Sequence, residues 1–277
     1  MNPAQTLPSL RDAAIPRSLR WSYAMLLVLL ALAALDQTIV STALPAIVAQ
    51  LHGADRLSWV FSAYLIASTV AIPLYGKFAD LHGARPVLLA AVVLFLTGSL
   101  LCGLSRDMTE LILARGVQGA GGGGFLTLAM TTVVRAFPPP LRPRLQGLLG
   151  AVYGVATMLG PLAGGFLVEQ ASWRWAFFID LPIGMAALGV LALALPRQGA
   201  GRAAKMDWLG AVLLTTALVS LLLSTRPHGG DAGVPVLALG LLGVVLTGLF
   251  VAVQARAAHP LLSLSLFASR ESRQRAC

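Results

Sequence analysis

The chain has 277 residues, of which 57% are hydrophobic and 11% are charged, and its formal net charge is +9. A soluble domain carries roughly 25% charged residues and less than half apolar ones, so this composition excludes an ordinary soluble domain. The basic residues lie singly or in short clusters between apolar runs, without the basic stripe that a nucleic-acid-binding face requires, which argues against nucleic acid as a partner. Cys102 and Cys277 provide neither a disulfide framework nor metal-ligand spacing, and no metal site is predicted.

Eight apolar segments follow one another, each near or above the roughly 20 residues that a helix needs to cross a bilayer. The predicted spans are 21–49, 57–76, 86–105, 109–134, 145–168, 175–195, 208–225 and 233–253. The first segment is too long for a signal peptide and lacks a small-residue cleavage site, so it is expected to remain as a span. We therefore predict an all-α membrane protein with about eight transmembrane helices.

Lysine and arginine are unevenly divided between alternate connections of these spans. Of the 20 such residues, fifteen fall in one set of connections and four in the other, while Arg115 lies inside a span. Because cytoplasmic loops keep the positive charge, the richer set is predicted to be cytoplasmic. Both termini then lie in the cytoplasm, which requires an even number of spans and agrees with eight.

Three ionisable residues, Asp36, Arg115 and Asp180, are predicted to lie at membrane depth. A charge there costs several kcal/mol unless it is paired or faces water, so each is a functional candidate. Asp36, 15 residues past Trp21, lies about 22 Å into a core of about 30 Å, and the other two enter from outside to about 8–9 Å. All three share one layer. We hypothesise a water-accessible cavity in which Arg115 pairs with a carboxylate and a proton is exchanged; the alternative is a structural pair that only locks helices together.

Glycine-rich stretches occur in the fourth and fifth spans. The run 119–124 matches G-x-G-x-x-G by letter, but no strand precedes it and no acidic residue follows about 20 residues later, so no nucleotide site is predicted. Small residues in a membrane helix instead permit close backbone approach. Ala156, Gly160 and Gly164 form a ridge at intervals of four, and Pro161 adds a kink. This ridge is either a static packing surface or a surface on which two helix bundles rock.

Most Trp and Tyr residues occupy span ends, as expected of the interfacial aromatic belt. Tyr64, Tyr75 and Tyr153 remain as possible ligand contacts, and packing against lipid or core is the favoured role of each. Cys102 lies inside an apolar run and is likewise assigned to packing.

Several motifs follow one another along these spans. The first span carries LDQTIVSTALP at 35–45, and GKFADLHGARP at 76–86 lies between spans two and three. The fourth span carries RGVQGAG at 115–121 and the fifth GPLAGG at 160–165. WRWAFFIDLPIG at 173–184 follows, and HPLLSLSLF begins at 259. In this order and on these helices, the motifs resemble those of the major facilitator superfamily, and within it the fourteen-helix drug:proton antiporter family.

The resemblance implies roles for the matching residues. Asp36 would be the proton or cation site, with Arg115 and Gln118 as its tuning partners, and Asp180 stands where the sixth helix usually carries Asn. These four residues are the predicted proton and substrate pathway. The cytoplasmic gate-loop motif is matched by Gly76, Asp80, Gly83 and Arg85, although Leu81 and Ala84 stand where the motif usually has basic residues. The antiporter helix motif is matched by Gly160, Pro161, Gly164 and Gly165.

The fold implied is a major facilitator-like N-terminal six-helix bundle at 21–195 plus two further transmembrane helices at 208–253. The predicted cytoplasmic parts are the N-terminal segment 1–20, the linker 196–207 and the C-terminal tail 254–277. The family has a second six-helix half beyond its two linking helices, and the substrate path lies between the halves. The chain is therefore expected to be a truncated form that supplies one half.

The function implied is proton-coupled efflux, by antiport, of lipophilic or cationic drugs across the plasma or inner membrane. Asp80 and Arg85 would form an inner latch. The proton gradient is the energy source, no cofactor is expected, and the chain is not predicted to be an enzyme. Its partners would be the lipid bilayer, protons and a small substrate. Two alternatives stay open: a non-transporting fragment or half-transporter that needs a second half or self-association, and a major facilitator exporter of another small metabolite.

Overall fold

A computed structural model describes residues 16–196, 207–224 and 236–256 of the chain. Within these ranges the secondary structure is helical, without a strand. Most of each predicted cytoplasmic part lies outside the described residues: the N-terminal segment, the linker and the C-terminal tail. The motif that begins at 259 lies outside them too. The connection 225–235 lies outside them as well.

In the described residues, ten α-helices account for the predicted spans in the predicted order. They are α1 (Arg17–Leu51), α2 (Leu57–His82), α3 (Ala84–Leu104), α4 (Met108–Gly122), α5 (Phe125–Ala136), α6 (Arg142–Gln170), α7 (Trp175–Phe178), α8 (Asp180–Ala194), α9 (Trp208–Ser224) and α10 (Val236–Arg256). In the described part of the chain, six helical segments are long and apolar enough to cross a membrane, and α9 is a shorter apolar helix. The prediction of an all-α membrane protein with about eight helices is confirmed.

The fourth predicted span, 109–134, was expected to be one helix, and it is two. α4 ends at Gly122 and α5 begins at Phe125, with Gly123 and Gly124 between them. Both glycines keep right-handed backbone angles, and the Gly124 N–H bonds the Gly121 carbonyl, as in a 3₁₀ turn. A Cβ at Gly123 would overlap the backbone of Ser68 on α2. The glycine run therefore serves close helix contact, as the sequence predicted, and it also tightens the helix locally.

The sixth predicted span is interrupted once, between α7 and α8. Pro182 has no N–H to bond the carbonyl four residues earlier, at Phe178, where α7 ends. The interruption leaves Asp180 as the first residue of α8. Its side chain is therefore set at a break in the helix.

Buried apolar side chains form two clusters, one on each side of a polar layer. The inner apolar cluster is built around Leu29, Leu88, Phe95, Leu128 and Leu191. The outer apolar cluster is built around Val40, Ile47, Val60, Leu111 and Phe177. Along α1 the inner cluster ends at Ala33 and the outer cluster begins at Ile39. Asp36 lies between them.

The outer apolar cluster is closed by a polar tie between three segments. Gln50, near the end of α1, accepts hydrogen bonds from Trp173 Nε1 and from Arg174 Nη1, both at 2.6 Å. Arg174 Nη2 also donates to the carbonyl of Ser105 at 3.0 Å, just after α3. The Arg174 guanidinium lies 4.4 Å from the centre of the Trp173 ring, within cation–π range. This tie joins the ends of α1 and α3 to the start of α7.

The outer surface of the bundle is strongly apolar. Met158 and Leu162 on α6 are 78% and 74% exposed, and Leu193 on α8 is 91% exposed. Soluble monomers do not expose large contiguous apolar patches, whereas lipid-facing helices must. The exposed side chains are therefore those expected of helices that face hydrocarbon.

Glycines let α4 approach its neighbours at the polar layer. A Cβ at Gly98 of α3 would overlap the backbone of Gln118, and a Cβ at Gly119 of α4 would overlap the backbone of Tyr64. Gly116, less than one turn away on α4, has open space around the position of its Cβ. The close contacts of α4 with α2 and α3 therefore depend on particular glycines and not on glycine content as such.

We predict that Gly119→Ala destabilises the bundle by about 1–3 kcal/mol, because the added methyl group must displace backbone atoms of α2. Gly116→Ala is the matched control on the same helix and is expected to leave stability unchanged. Thermal unfolding of the purified variants in one detergent measures both. Equal midpoints for the two variants would contradict the close approach of α4 to α2.

Candidate functional site

The four predicted pathway residues meet in one buried polar cluster. Asp36 comes from α1, Arg115 and Gln118 from α4, and Asp180 from α8. Each is at most 2% exposed. The three charged residues, which the sequence placed at one depth, therefore lie together in the structure.

Asp36 and Arg115 form an ion pair at the centre of this cluster. Arg115 Nη1 donates to Asp36 Oδ2 at 2.7 Å, and both side chains are fully buried. Away from water, a charge without a partner costs several kcal/mol, and charge-assisted hydrogen bonds are stronger than neutral ones. The pair therefore holds α1 against α4, although these helices share few other contacts.

Gln118 connects the ion pair to the rest of the cluster through both ends of its amide. Its oxygen accepts from Arg115 Nη1 at 2.6 Å, so it faces the cation. Its nitrogen donates to Asp36 Oδ1 at 2.9 Å and to the hydroxyl of Ser99 at 2.7 Å. The negative end of the amide dipole therefore faces the guanidinium, and its positive end faces the carboxylate of Asp36. Gln118 is therefore a bridge between the paired carboxylate and α3.

Asp180 is held by neutral donors. The Ser99 hydroxyl donates to Asp180 Oδ2 at 2.6 Å, and Gln118 Nε2 approaches the same oxygen at 3.3 Å. Asp180 forms no ion pair with any residue that the structure describes. The two carboxylates of the cluster therefore have different environments: one is paired with a cation, and the other is not.

The guanidinium of Arg115 is enclosed by aromatic rings. Its central carbon lies 4.3 Å from the centre of the Tyr64 ring and 5.8 Å from that of Phe177, a cation–π arrangement. Within the described ranges, Arg115 Nη2 has no hydrogen-bond partner. Tyr64, which the sequence assigned to packing, is thus part of the site, and one buried donor of Arg115 is left over.

The expectation of a water-accessible cavity is wrong for the state described. Asp36, Gln118 and Ser99 are each at most 1% exposed, and the two apolar clusters close the layer from both sides. Within the ranges described, no group of three or more His, Cys, Asp or Glu side chains is placed to hold a metal ion. The network is closed because the hydrogen bonds of Asp36, Gln118 and Ser99 run between side chains of α1, α3 and α4.

The gate-loop motif forms two separate contacts. Asp80 Oδ1 accepts from Arg135 Nη2 at 2.6 Å, and Arg135 Nη1 donates to the carbonyl of Ala79 at 2.9 Å. Arg85 instead donates to the carbonyl of Ala192 near the end of α8. Asp80 and Arg85, expected to act together as a latch, therefore tie different helices. Arg135 of α5 supplies the positive charge that pairs with the motif's carboxylate.

The two glycines of this motif differ in their surroundings. Gly83 has φ of 87°, a left-handed conformation that glycine adopts without strain, and it forms the tight turn between α2 and α3. Gly76 lies within α2 with open space at its Cβ position. The structure therefore explains why glycine stands at Gly83, and it gives no steric reason for glycine at Gly76.

The antiporter motif lies on α6 and packs within the same bundle. A Cβ at Gly160 would overlap the side chain of Thr38, and one at Gly164 would overlap that of Thr42, both on α1. Pro161 is exposed, and Gly165 has open space at its Cβ position. Of the two interpretations of the ridge, the structure supports close packing of α6 on α1, because its buried glycines face α1 and not a second bundle.

Three contributors to these contacts were not identified from the sequence. Ser99 has no charge and lies in an apolar helix; its only signal is a hydroxyl at the same depth as Asp36. Cys102 was assigned to packing, yet its thiol lies 3.6 Å from Gln118 Oε1. Arg135 was counted among the cytoplasmic charges, and its pairing with Asp80 joins segments 55 positions apart.

We predict that Asp36→Asn lowers the stability of the bundle by about 3–5 kcal/mol, because it leaves Arg115 charged, buried and without its partner. The double variant with Arg115→Met, which removes both charges, is expected to recover part of this loss. Thermal unfolding of the purified proteins measures both. A single variant as stable as the unchanged protein would show that the ion pair does not carry the cluster.

Comparison with known proteins identifies the family to which this chain belongs. The profile described as Major Facilitator Superfamily matches residues 26–268. The chain is 38% identical over 251 residues to the multidrug transporter protein MdtP of Bacillus subtilis, covering 88% of this chain and 46% of that protein. It is 39% identical to the efflux pump dotC of Dothistroma septosporum, covering 87% of this chain and 43% of the pump. The chain thus spans about half the length of these curated relatives.

Solved structures show the same fold at low sequence identity. The human organic anion transporter MFSD10 (TETRAN) superposes with a TM-score of 0.56 at 20% identity, over 83% of this chain and 61% of that protein. An auto-inhibited peptide transporter of the POT family gives 0.57 at 16% identity, over 83% of this chain and 50% of that protein. With the family match over most of its length and its apolar helices, the chain is a multi-pass membrane protein that belongs to the major facilitator superfamily.

Proposed function

We propose that the chain carries the proton-coupling half of an exporter that exchanges lipophilic or cationic compounds for protons. The observation that carries the proposal is the sealed cluster of Asp36, Arg115, Gln118 and Asp180. Two carboxyl groups and one guanidinium at membrane depth are costly to maintain, and intramembrane ionisable groups mark ion and substrate pathways. Transport also gives them a use: proton binding and release change the charge of the cluster by one unit.

Alternating access explains how a sealed cluster exchanges protons. In this fold the site is reached from one side of the membrane at a time, as one half rocks against the other. The state described here is closed around Asp36. Asp80 with Arg135, and Arg85 with the carbonyl of Ala192, tie helix ends on the predicted cytoplasmic side. Opening on that side would break these contacts. The Asp80–Arg135 pair is partly exposed to solvent, and such pairs are weak enough to be reversible.

The substrate class follows from the relatives and from the charge of the cluster. The relatives are a multidrug transporter and an efflux pump, which supports export of small lipophilic compounds. With both carboxylates ionised, the cluster carries one net negative charge after Arg115 is counted, which favours a cationic substrate modestly. Export of another small metabolite remains the alternative within the same superfamily.

The location proposed is the plasma or inner membrane, with both termini in the cytoplasm. The support is the uneven division of lysine and arginine between alternate connections. The energy source is the proton gradient across that membrane, without a cofactor. The bilayer, protons and the exported compound are the proposed partners.

A second candidate is a half-transporter, favoured by the extent of the match. The chain covers 46% of the transporter to which it is 38% identical. Because the substrate path of this fold lies between two halves, the chain would then act with a second half or with another copy of itself. Activity by self-association depends on protein density in the membrane, whereas activity of a chain that needs no partner does not.

We expect everted vesicles that contain the gene product to accumulate a lipophilic cationic dye when their interior is acidic, and to lose the dye when the gradient is collapsed. Asp36→Asn is expected to reduce uptake to that of vesicles without the protein. Arg144→Ala, an exposed arginine outside the cluster, is the control and is expected to retain uptake. Vesicles with normal protein content but no gradient-dependent uptake would overturn the proposed function. Uptake per molecule that rises with protein density would identify the half-transporter.

A further inference from the structure

Among the residues that the structure describes, the buried cluster contains one more negative group than positive groups. Asp36 and Asp180 are its carboxyl groups and Arg115 is its cation; the remaining titratable groups facing it are the thiol of Cys102 and the phenol of Tyr64. A sealed site with an excess charge is strongly unfavourable, because that charge has lost water without gaining a counterion. The sealed state therefore requires one bound proton on a carboxyl group.

Asp36 is the less suitable carrier of that proton. Its Oδ2 accepts from the guanidinium of Arg115 at 2.7 Å, and its Oδ1 accepts from Gln118 at 2.9 Å. Both oxygens thus already accept hydrogen bonds, and a proton on either would remove the negative charge that compensates the buried guanidinium of Arg115. The contact with a cation further favours the ionised form.

Asp180 has the opposite environment. It lies at the start of α8, where α1 and α3 pack against it, and its contacts from these helices and from α4 are with the Ser99 hydroxyl and the Gln118 amide. No residue within the described ranges forms an ion pair with it. Protonation of Asp180 therefore breaks no ion pair with a described residue, and the neutral acid can still bond the Ser99 hydroxyl and the Gln118 amide.

We propose that Asp180 carries the exchangeable proton of the cluster, while Asp36 stays ionised in its pair with Arg115, and that Ser99 is the positioning residue that holds the Asp180 carboxyl group. When the cluster opens to water on one side, a hydronium ion gives its proton to a carboxylate oxygen of Asp180: an O–H bond of hydronium breaks, an O–H bond of the carboxylic acid forms, and water remains. When it opens to the other side, the O–H bond of Asp180 breaks and the proton passes to a water molecule, which becomes hydronium. The use of this proton in transport rests on the proposed function; its place in the sealed cluster does not.

Infrared spectroscopy tests the proposal directly on the purified protein in lipid at neutral pH. A protonated carboxylic acid gives a C=O stretching band that is distinct from the bands of carboxylates. We expect one such band in the unchanged protein and its loss in Asp180→Asn. We expect Ser99→Ala to keep the band and to shift its frequency, because the hydroxyl contacts Asp180 and makes no contact with Asp36. A protein that lacks the band, or a band that survives Asp180→Asn, would overturn the proposal.

Thr132→Val is the matched control. Thr132 is fully buried on α5, and its hydroxyl has no hydrogen-bond partner among the described residues, so the change removes a buried hydroxyl outside the cluster. The band is expected to keep its frequency in this variant. A band that Ser99→Ala does not move would place the proton on another group.

Transport measurements provide a second test. They distinguish failure of the proposed function from failure of the proposal about Asp180. If the proposed function holds, Asp180→Asn should fold normally, because asparagine resembles the neutral carboxyl group, and should show dye movement that no longer responds to the proton gradient. Vesicles without any gradient-dependent uptake, combined with the expected infrared bands, would remove the proposed function and leave Asp180 as the protonated residue. Gradient-dependent uptake that survives in Asp180→Asn would remove Asp180 as the coupling proton carrier.

Discussion

The need to compensate the buried charge of the Arg115 guanidinium is the constraint on which the rest of this structure depends. Arg115 lies between two apolar clusters, so its charge must be compensated by protein groups and not by water. Asp36 provides the compensation from α1, and Gln118 extends the network to Ser99 on α3, which in turn holds Asp180 on α8. Four helices are thereby joined in one layer, and a change of charge in that layer acts on all of them.

Close helix approach makes this layer possible. The hydrogen bonds of Gln118 reach α3 only because Gly98 lets the α3 backbone touch that of α4, and Tyr64 lies against Arg115 because Gly119 does the same for α2. In a bilayer, an apolar side chain gains nothing by leaving lipid for the protein interior. Contacts between helices therefore depend on close packing and on polar groups. The glycines set the distances between the helices, and the charged cluster determines which side chains pair across them. The closed state of the cluster needs both, because a looser cluster would admit water.

The sequence predicted the parts of the fold that follow from the lengths of its apolar runs and from the free-energy cost of burying charge. Apolar run lengths predicted the helices, and the cost of burying charge singled out Asp36, Arg115 and Asp180 and placed them in one layer. Prediction from the sequence failed where the role of a residue depends on a partner that is distant in the sequence. Ser99 looks like any serine in an apolar helix until α8 is placed beside it, and the split between α4 and α5 depends on contacts of Gly123 with α2. Whether the layer is wet or sealed depends on how well all these contacts close.

Cys102 offers the most direct measurement of whether the cluster is sealed. Its thiol is fully buried and lies 3.6 Å from Gln118 Oε1, so it reports on the layer without an added probe. In a Cys277→Ser background, the account predicts that a small maleimide labels Cys102 slowly in the resting protein and much faster in Asp36→Asn, where the ion pair is lost. Labelling of the resting protein as fast as that of the unfolded chain would contradict it, because the charges would then lie in open water.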